Sequence, residues 1–279
     1  MSALGKSAAT VAKVCIRSRR PSKAGKPQER ELVILGNGPS LKQTIGEHGG
    51  FLAARDLLAV NFAANTPEFF ALKPKHYVLA DPHFFRGAQT DSNVARLWEN
   101  LHRAADGMTL HVPCRERHNP LLKGLNVRFF NLTPGEGFRW LRHALYDAGL
   151  AMPRPRNVLI ASIMVAVRLG YGKIYLAGAD HSWSKTLDVD EQNRVVSVQP
   201  HFYSDGKEEH ARVAAEYAGY RLHDILRSLC VAFESYHLIA PWARKRGVEI
   251  LNITPGSMID AFPRFTPESG ESAAAEKQS

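Results

Sequence analysis

The sequence predicts an α/β fold, a mostly parallel sheet with helices on both faces. Apolar runs of strand length alternate with segments of helical period, and each clear run ends in glycine or a polar residue. With 279 residues, 44% of them hydrophobic, the chain can bury one large core. The first strand is ELVIL (31–35), which stops at Gly36-Asn37-Gly38-Pro39-Ser40 before a helical segment near Leu41–Ala54. Strands follow at 57–65 (LLAVNFAAN), 76–82 (HYVLADP), 108–113 (MTLHVP) and 126–132 (NVRFFNL). The apolar helix pattern of 157–170, closed by Gly170 as its C-terminal cap, leads at once into the strand KIYLAGAD (173–180). A long helix over about 209–247, a strand VEILNIT (248–254) and a turn Pro255-Gly256-Ser257 complete the order. The connections 83–107, 112–156 and 181–208 have the length of lids or binding loops, and 181–208 is assigned as a lid-like insertion. One Rossmann-like domain is thus expected over 31–265, between a basic tail (1–30) and a polar tail (266–279), both read as disordered.

The net charge of +9 is concentrated in one place. Residues 1–30 hold eight Lys and Arg against Glu29 alone, a net +7, so the folded part is nearly neutral and nucleic acid is not an expected partner. A basic tail of this kind fits a peripheral contact with anionic lipid at the inner membrane face. The apolar core of TVAKVCI is too short for a secretory peptide, and no run reaches the roughly 18 residues of a membrane span. Cys15, Cys114 and Cys230 are scattered and odd in number, which suits a reducing compartment and suggests neither disulfides nor zinc. A cytoplasmic protein is the expectation.

In an open α/β sheet the ligand sits beyond the carboxyl ends of the strands, where strand order reverses. The residues at those ends are Gly36-Asn37-Gly38-Pro39-Ser40, Asn61, Asp81, Gly178-Ala179-Asp180-His181 and Thr254-Pro255-Gly256-Ser257. Leu41 occupies the third-glycine place of a dinucleotide fingerprint, and the phosphate-loop lysine motif is absent, so the nucleotide is held in another way. A phosphate or sugar oxygen is expected over the helix start at Gly36–Ser40; the plainer readings are a tight turn for the glycines and a helix cap for Ser40. Asp180 suits a ribose hydroxyl or a base edge, or a cap or salt bridge. His181 and His201 each have the pKa to take a hydroxyl proton near neutrality, and each is equally readable as a structural or surface histidine. Asp188-Val189-Asp190 has the spacing of a metal-binding pair but sits in a polar loop, where a solvated charge pair is the better reading.

Taken together, Gly36–Lys42, Asn61, the Asp81-Pro82 turn, LGYGKIYLAGAD (169–180) and EILNITPGSMIDAF (249–262) resemble the bacterial family 42 sialyltransferases. They are equally similar to the wider MptE-like set, which includes motility-accessory flagellin glycosyltransferases and archaeal 6-hydroxymethylpterin diphosphokinases. The resemblance spans about residues 31–265 and implies a GT-A-like single domain. It implies CMP-binding roles for Asn37, Gly38, Asn61, Gly178 and Asp180, a lid histidine as base at His201, and Tyr203 on the phosphate, without a required metal. Asp81 stands where the sialyltransferases have asparagine, and their Ser-Gly donor grip is replaced around Asn157-Val158. The implied function is a metal-independent glycosyltransferase, with a CMP-activated nonulosonate or related sugar as donor and a surface glycan or protein as acceptor. The alternatives are a pterin-type diphosphokinase, which would use Mg²⁺ at Asp81 and Asp180, and a non-catalytic nucleotide binder of the same fold.

Overall fold

The computed structural model describes residues 2–197 and 219–268. Its strands are β1 (Gln28–Leu35), β2 (Asp56–Val60), β3 (His76–Val78), β4 (Thr109–Pro113), β5 (Val127–Phe130), β6 (Tyr171–Ala177), β7 (Leu187–Val189), β8 (Val195–Ser197) and β9 (Glu249–Asn252). Seven of them form one sheet in the order β5-β4-β3-β2-β1-β6-β9, and every neighbouring pair is parallel. The chain steps outward from β1 to β5, then returns to lay β6 on the other side of β1. Strand order therefore reverses between β1 and β6, which is where such sheets bind ligands. β7 and β8 form a separate antiparallel hairpin within the expected lid.

The helices are α1 (Ala3–Arg17), α2 (Ser40–Glu47), α3 (Gly49–Ala53), α4 (Pro67–Leu72), α5 (His83–Arg86), α6 (Ser92–Arg103), α7 (Arg139–Ala148), α8 (Val158–Leu169) and α9 (Leu222–Lys245). Alternate β1 side chains serve opposite faces: Leu32 and Ile34 pack with the α8 and α9 core, Val33 and Leu35 with Leu41 and Leu52. α8 is buried continuously from Leu159 to Val167 and starts on Asn157, whose side chain accepts from Ile160 N; Gly170 ends it at φ 94°. The connection 83–107 holds the amphipathic α6, whose Val94, Leu97, Trp98 and Leu101 cover the β3–β4 side. The expected helix at 41–54 is two helices broken at His48, and the strand expected to reach 65 ends at Val60, with a 3₁₀ turn over Asn61–Asn65.

The N-terminal segment overturns the expectation of a disordered tail. Thr10 is fully buried; its hydroxyl donates to Glu136 O (3.1 Å) and accepts from Glu136 N (2.9 Å), while Ser7 Oγ accepts from Phe138 N (2.9 Å). Beyond α1, the Ser18 hydroxyl donates to Leu150 O (2.6 Å), and the buried Asn131 amide brackets both backbone groups of Arg19. Ser22 N donates to Phe129 O and Ser22 Oγ accepts from Phe129 N, so the segment lies along the open edge of β5. Gly25 passes so close to Leu169 that a Cβ would stand 2.1 Å from its carbonyl oxygen. Composition had suggested disorder because the contacts are hydroxyl-to-backbone and leave no apolar stripe to read.

At the opposite end of the sheet from the β1 and β6 carboxyl ends lies a buried polar chain. Tyr171 donates to Asp56 Oδ2 (2.5 Å), His76 Nε2 meets Tyr171 Oη (3.0 Å) and His111 Nε2 meets His76 Nδ1 (3.2 Å). Because the tyrosine proton goes to the carboxylate, His76 donates from Nε2 and accepts at Nδ1, and His111 donates to it. Burial raises the Asp56 carboxyl, but Lys75, Tyr171 and Arg30 outweigh it and hold the group below its ordinary value.

Candidate functional site

The two glycine loops at the switch point are built against each other. Gly36 N donates to Ala177 O and Gly38 N to Gly178 O, both at 2.8 Å. A Cβ on Gly36 would lie 2.4 Å from Gly178 O, and one on Gly38 would lie 1.8 Å from Asp180 Oδ2. Gly178 itself takes φ 61°. These glycines are thus required by the loop-to-loop approach before any ligand is considered. The Asp180 carboxylate accepts from the Ser40 hydroxyl (2.8 Å) and from Ser40 N (3.3 Å). Ser40 is the first helical residue, so it donates to a carboxylate from across the crevice and does not itself cap α2. The α2 N-terminus, where the sequence predicts a phosphate, already faces an anion of the chain.

The β6 end is locked from behind by the 254–257 turn. Ala179 N donates to Thr254 Oγ1 (3.0 Å), Ser257 Oγ donates to Ala179 O (2.6 Å) and Met258 N donates to Asp180 O (2.9 Å). Thr254 and Ser257 are buried and serve the frame. Asn61 begins the turn after β2 at φ 52°, a conformation asparagine accepts more readily than most residues, and its carbonyl accepts from Tyr77 Oη (2.5 Å). Asp81 is exposed and turns the chain after β3 by accepting from His83 N (2.8 Å).

Above these loops opens a cleft of about 850 Å³ whose walls include Asn37, Gly38, Pro39, Asn61, Asp81, Gly178, Asp180 and His181. Gly36, Ser40 and Ala179 lie behind that wall as its supports. Asn37 has both amide atoms buried with no hydrogen-bond partner among the described residues. His201 and Tyr203, expected as base and phosphate ligand, lie outside the described residues.

His181 is buried, and burial lowers its pKa to about 3. Its Nε2 lies 2.6 Å from Tyr236 Oη, which in turn lies 3.0 Å from Asn157 Oδ1, so the imidazole, the phenol and the amide form one buried chain. A buried neutral ring whose Nε2 is taken up by Tyr236 is not placed to accept a substrate proton there; its work is to hold Tyr236 and Asn157 in position. Trp183 packs over the ring with centroids 4.0 Å apart and joins the cleft wall.

The sequence reading missed the cations of this wall: Arg115 after β4, Arg156 before α8 and Arg227 on α9. A signal was available for Arg156, since a helix leading into a parallel strand begins at the carboxyl side of the sheet and the Pro155-Arg156-Asn157 cap must face the crevice. Asp190 accepts from Arg194 N and Nε and from Gln192 N, so this member of the Asp188-Val189-Asp190 pair closes the hairpin turn. Among the described residues no group of three or more His, Cys, Asp or Glu side chains is placed to hold a metal ion. Among them, too, no helix is long and apolar enough to cross a membrane.

No family model matches the chain, and no curated protein matches it. Among solved structures it is similar to the MAf glycosyltransferase from Magnetospirillum magneticum AMB-1, with a TM-score of 0.50 and 12% sequence identity. The match covers 95% of this chain and 38% of that protein, so the chain spans well under half of its structural neighbour. The likeness supports a glycosyltransferase-like, Rossmann-like fold.

Proposed function

We propose that the chain is a glycosyltransferase that binds a CMP-activated sugar, a nonulosonate or a related donor, in the β1–β6 cleft and transfers the sugar to a glycan or protein hydroxyl. The observation that carries this reading is Asn37. A buried amide with neither donor nor acceptor satisfied costs about 1–3 kcal/mol per group, and a nucleoside supplies both complements at once. The fold shared with a glycosyltransferase, at the identity given above, supports the reaction class. The donor type rests on the Gly36–Lys42 and 169–180 resemblance.

In this reading the chain's own carboxylate at the α2 N-terminus turns the donor phosphate away from Gly36–Ser40, and Arg115, Arg156 and Arg227 take its charge. Loss of the CMP leaving group is then assisted by guanidinium hydrogen bonds, and an acceptor hydroxyl loses its proton to His201. The His181–Tyr236–Asn157 chain holds the α8 cap while the sugar turns over.

Thermal-shift titration with CMP, CDP, UDP, GDP and ATP, each with and without Mg²⁺, tests the reading. Stabilisation by CMP independent of Mg²⁺ is the expected result; stabilisation by ATP only with Mg²⁺ would favour the diphosphokinase reading instead. By isothermal titration Asn37→Asp should weaken CMP more than about tenfold, because a second carboxylate joins Asp180 in a half-dry site. Unchanged affinity in the folded variant would move the nucleotide away from this loop.

A further inference from the structure

α1 docks on the body with its polar side. Ser7, Thr10 and Val14 recur at helical spacing on the inward face, and the first two bond the 136–138 backbone. The outward face, again at helical spacing, carries Leu4, Ala8, Val11, Ala12, Cys15 and Ile16. Leu4 is 69% exposed, Val11 45% and Ile16 71%. A soluble helix of a globular domain has these faces the other way round. Trp140, 71% exposed, stands two residues after Phe138, whose N–H bonds Ser7. Exposed basic side chains accompany this surface on and just after the helix: Lys6, Arg17, Arg20, Lys23 and Lys26.

We propose that the outward face of α1, with Trp140, is a docking surface for an anionic lipid bilayer. The charge complementarity selects this occupant. Residues 1–30 carry +7 of the chain's +9, spread beside an apolar face that lies flat on the body, whereas a second copy of the chain would bring the same positive charge against itself. Aliphatic side chains along one face, a tryptophan and clustered Lys and Arg are the combination that partitions into the headgroup boundary. Neither part suffices alone for firm attachment. The helix is already ordered against the protein, so binding does not have to fold it, and the domain is held in a defined orientation to the surface.

The test uses the full chain with phosphatidylcholine vesicles, with and without phosphatidylglycerol, read by co-sedimentation. Wild type should sediment with the phosphatidylglycerol vesicles and not with phosphatidylcholine alone, and the binding should fall in high salt. Leu4→Glu/Ile16→Glu changes only exposed positions and should keep its melting temperature while losing vesicle binding by about tenfold or more. Arg17→Gln/Arg20→Gln/Lys23→Gln should lose a comparable factor. Wild type that ignores both vesicle types, or a Leu4→Glu/Ile16→Glu variant that binds as well as wild type, overturns the proposal. So does a light-scattering mass showing a dimer that the same double variant dissociates, which would give the face to a second copy.

Discussion

A chain shortened to begin at Gln28 should melt about 10–20 °C below the full-length protein and should aggregate on heating. The removed segment supplies partners to groups of the body: the buried Asn131 amide loses Arg19 N and O and keeps Gly149 O, Thr133 loses the Ser18 hydroxyl, and Phe129 N and O lose the Ser22 side chain and N–H. Each buried polar group left without a partner costs about 1–3 kcal/mol, so the sum is on the order of 5 kcal/mol. For a domain of this size that corresponds to roughly 2–4 °C per kcal/mol. The aggregation has a separate cause. β5 is the last strand of the sheet on its side, and without residues 18–27 its edge presents unpaired N–H and C=O groups to other chains. A truncated protein that melts with the full-length one would show that the segment is held only weakly, and would return the basic charge to a loose tail.

The sheet was legible because parallel strands covered on both faces read as unbroken apolar runs, and the switch point followed from where those runs end. Asn37, Asn61, Asp81 and Asp180 were found in this way, and the structure brings all four to one cleft. Their work was less legible. The Gly36 and Gly38 requirement comes from Gly178 O and the Asp180 carboxylate, residues some 140 positions away in the chain, and no local pattern shows a carboxylate arriving at the α2 N-terminus from β6. His181 looked like a titrating residue because a sequence shows the imidazole and hides its burial; the Tyr236 partner comes from a different helix altogether. α6 was present as Val94, Leu97, Trp98 and Leu101 after an Asp91 cap, and a reading centred on connections passed over it. α1 was the reverse case, a helix whose docking face carries the Ser7 and Thr10 hydroxyls with Val14 as its core-packed apolar side chain, too little apolar surface to read as an amphipathic stripe.

The buried imidazoles of His76, His111 and His181 should set the pH at which the fold fails. Burial lowers His76 to about 4, with the Lys75 charge adding to it; burial with the His76 charge holds His111 well below its ordinary value; and burial takes His181 to about 3. In the unfolded chain all three return to about 6.5. The unfolded state therefore binds more protons below that pH, and the stability these residues allow is complete above about 6.5 and lost as pH falls through about 4. Each histidine contributes a slope approaching 1.4 kcal/mol per pH unit inside that window, so three together give about 4 kcal/mol per unit. Asp56 is held below its ordinary carboxyl value, and its contribution disappears only at lower pH, after the histidines have acted. The geometry gives the same sign: protonating His76 at Nδ1 sets a proton against the one His111 already donates there, inside the sheet. The guanidinium midpoint should thus be level between pH 8 and 7 and fall steeply between about 6 and 5. In the folded protein the three ring-proton resonances should stay at their neutral positions until the chain unfolds. A midpoint unchanged from pH 7 to 5, or any of the three rings titrating near 6.5 in the native state, would show that the rings are open to water and would remove the buried chain from the account of stability.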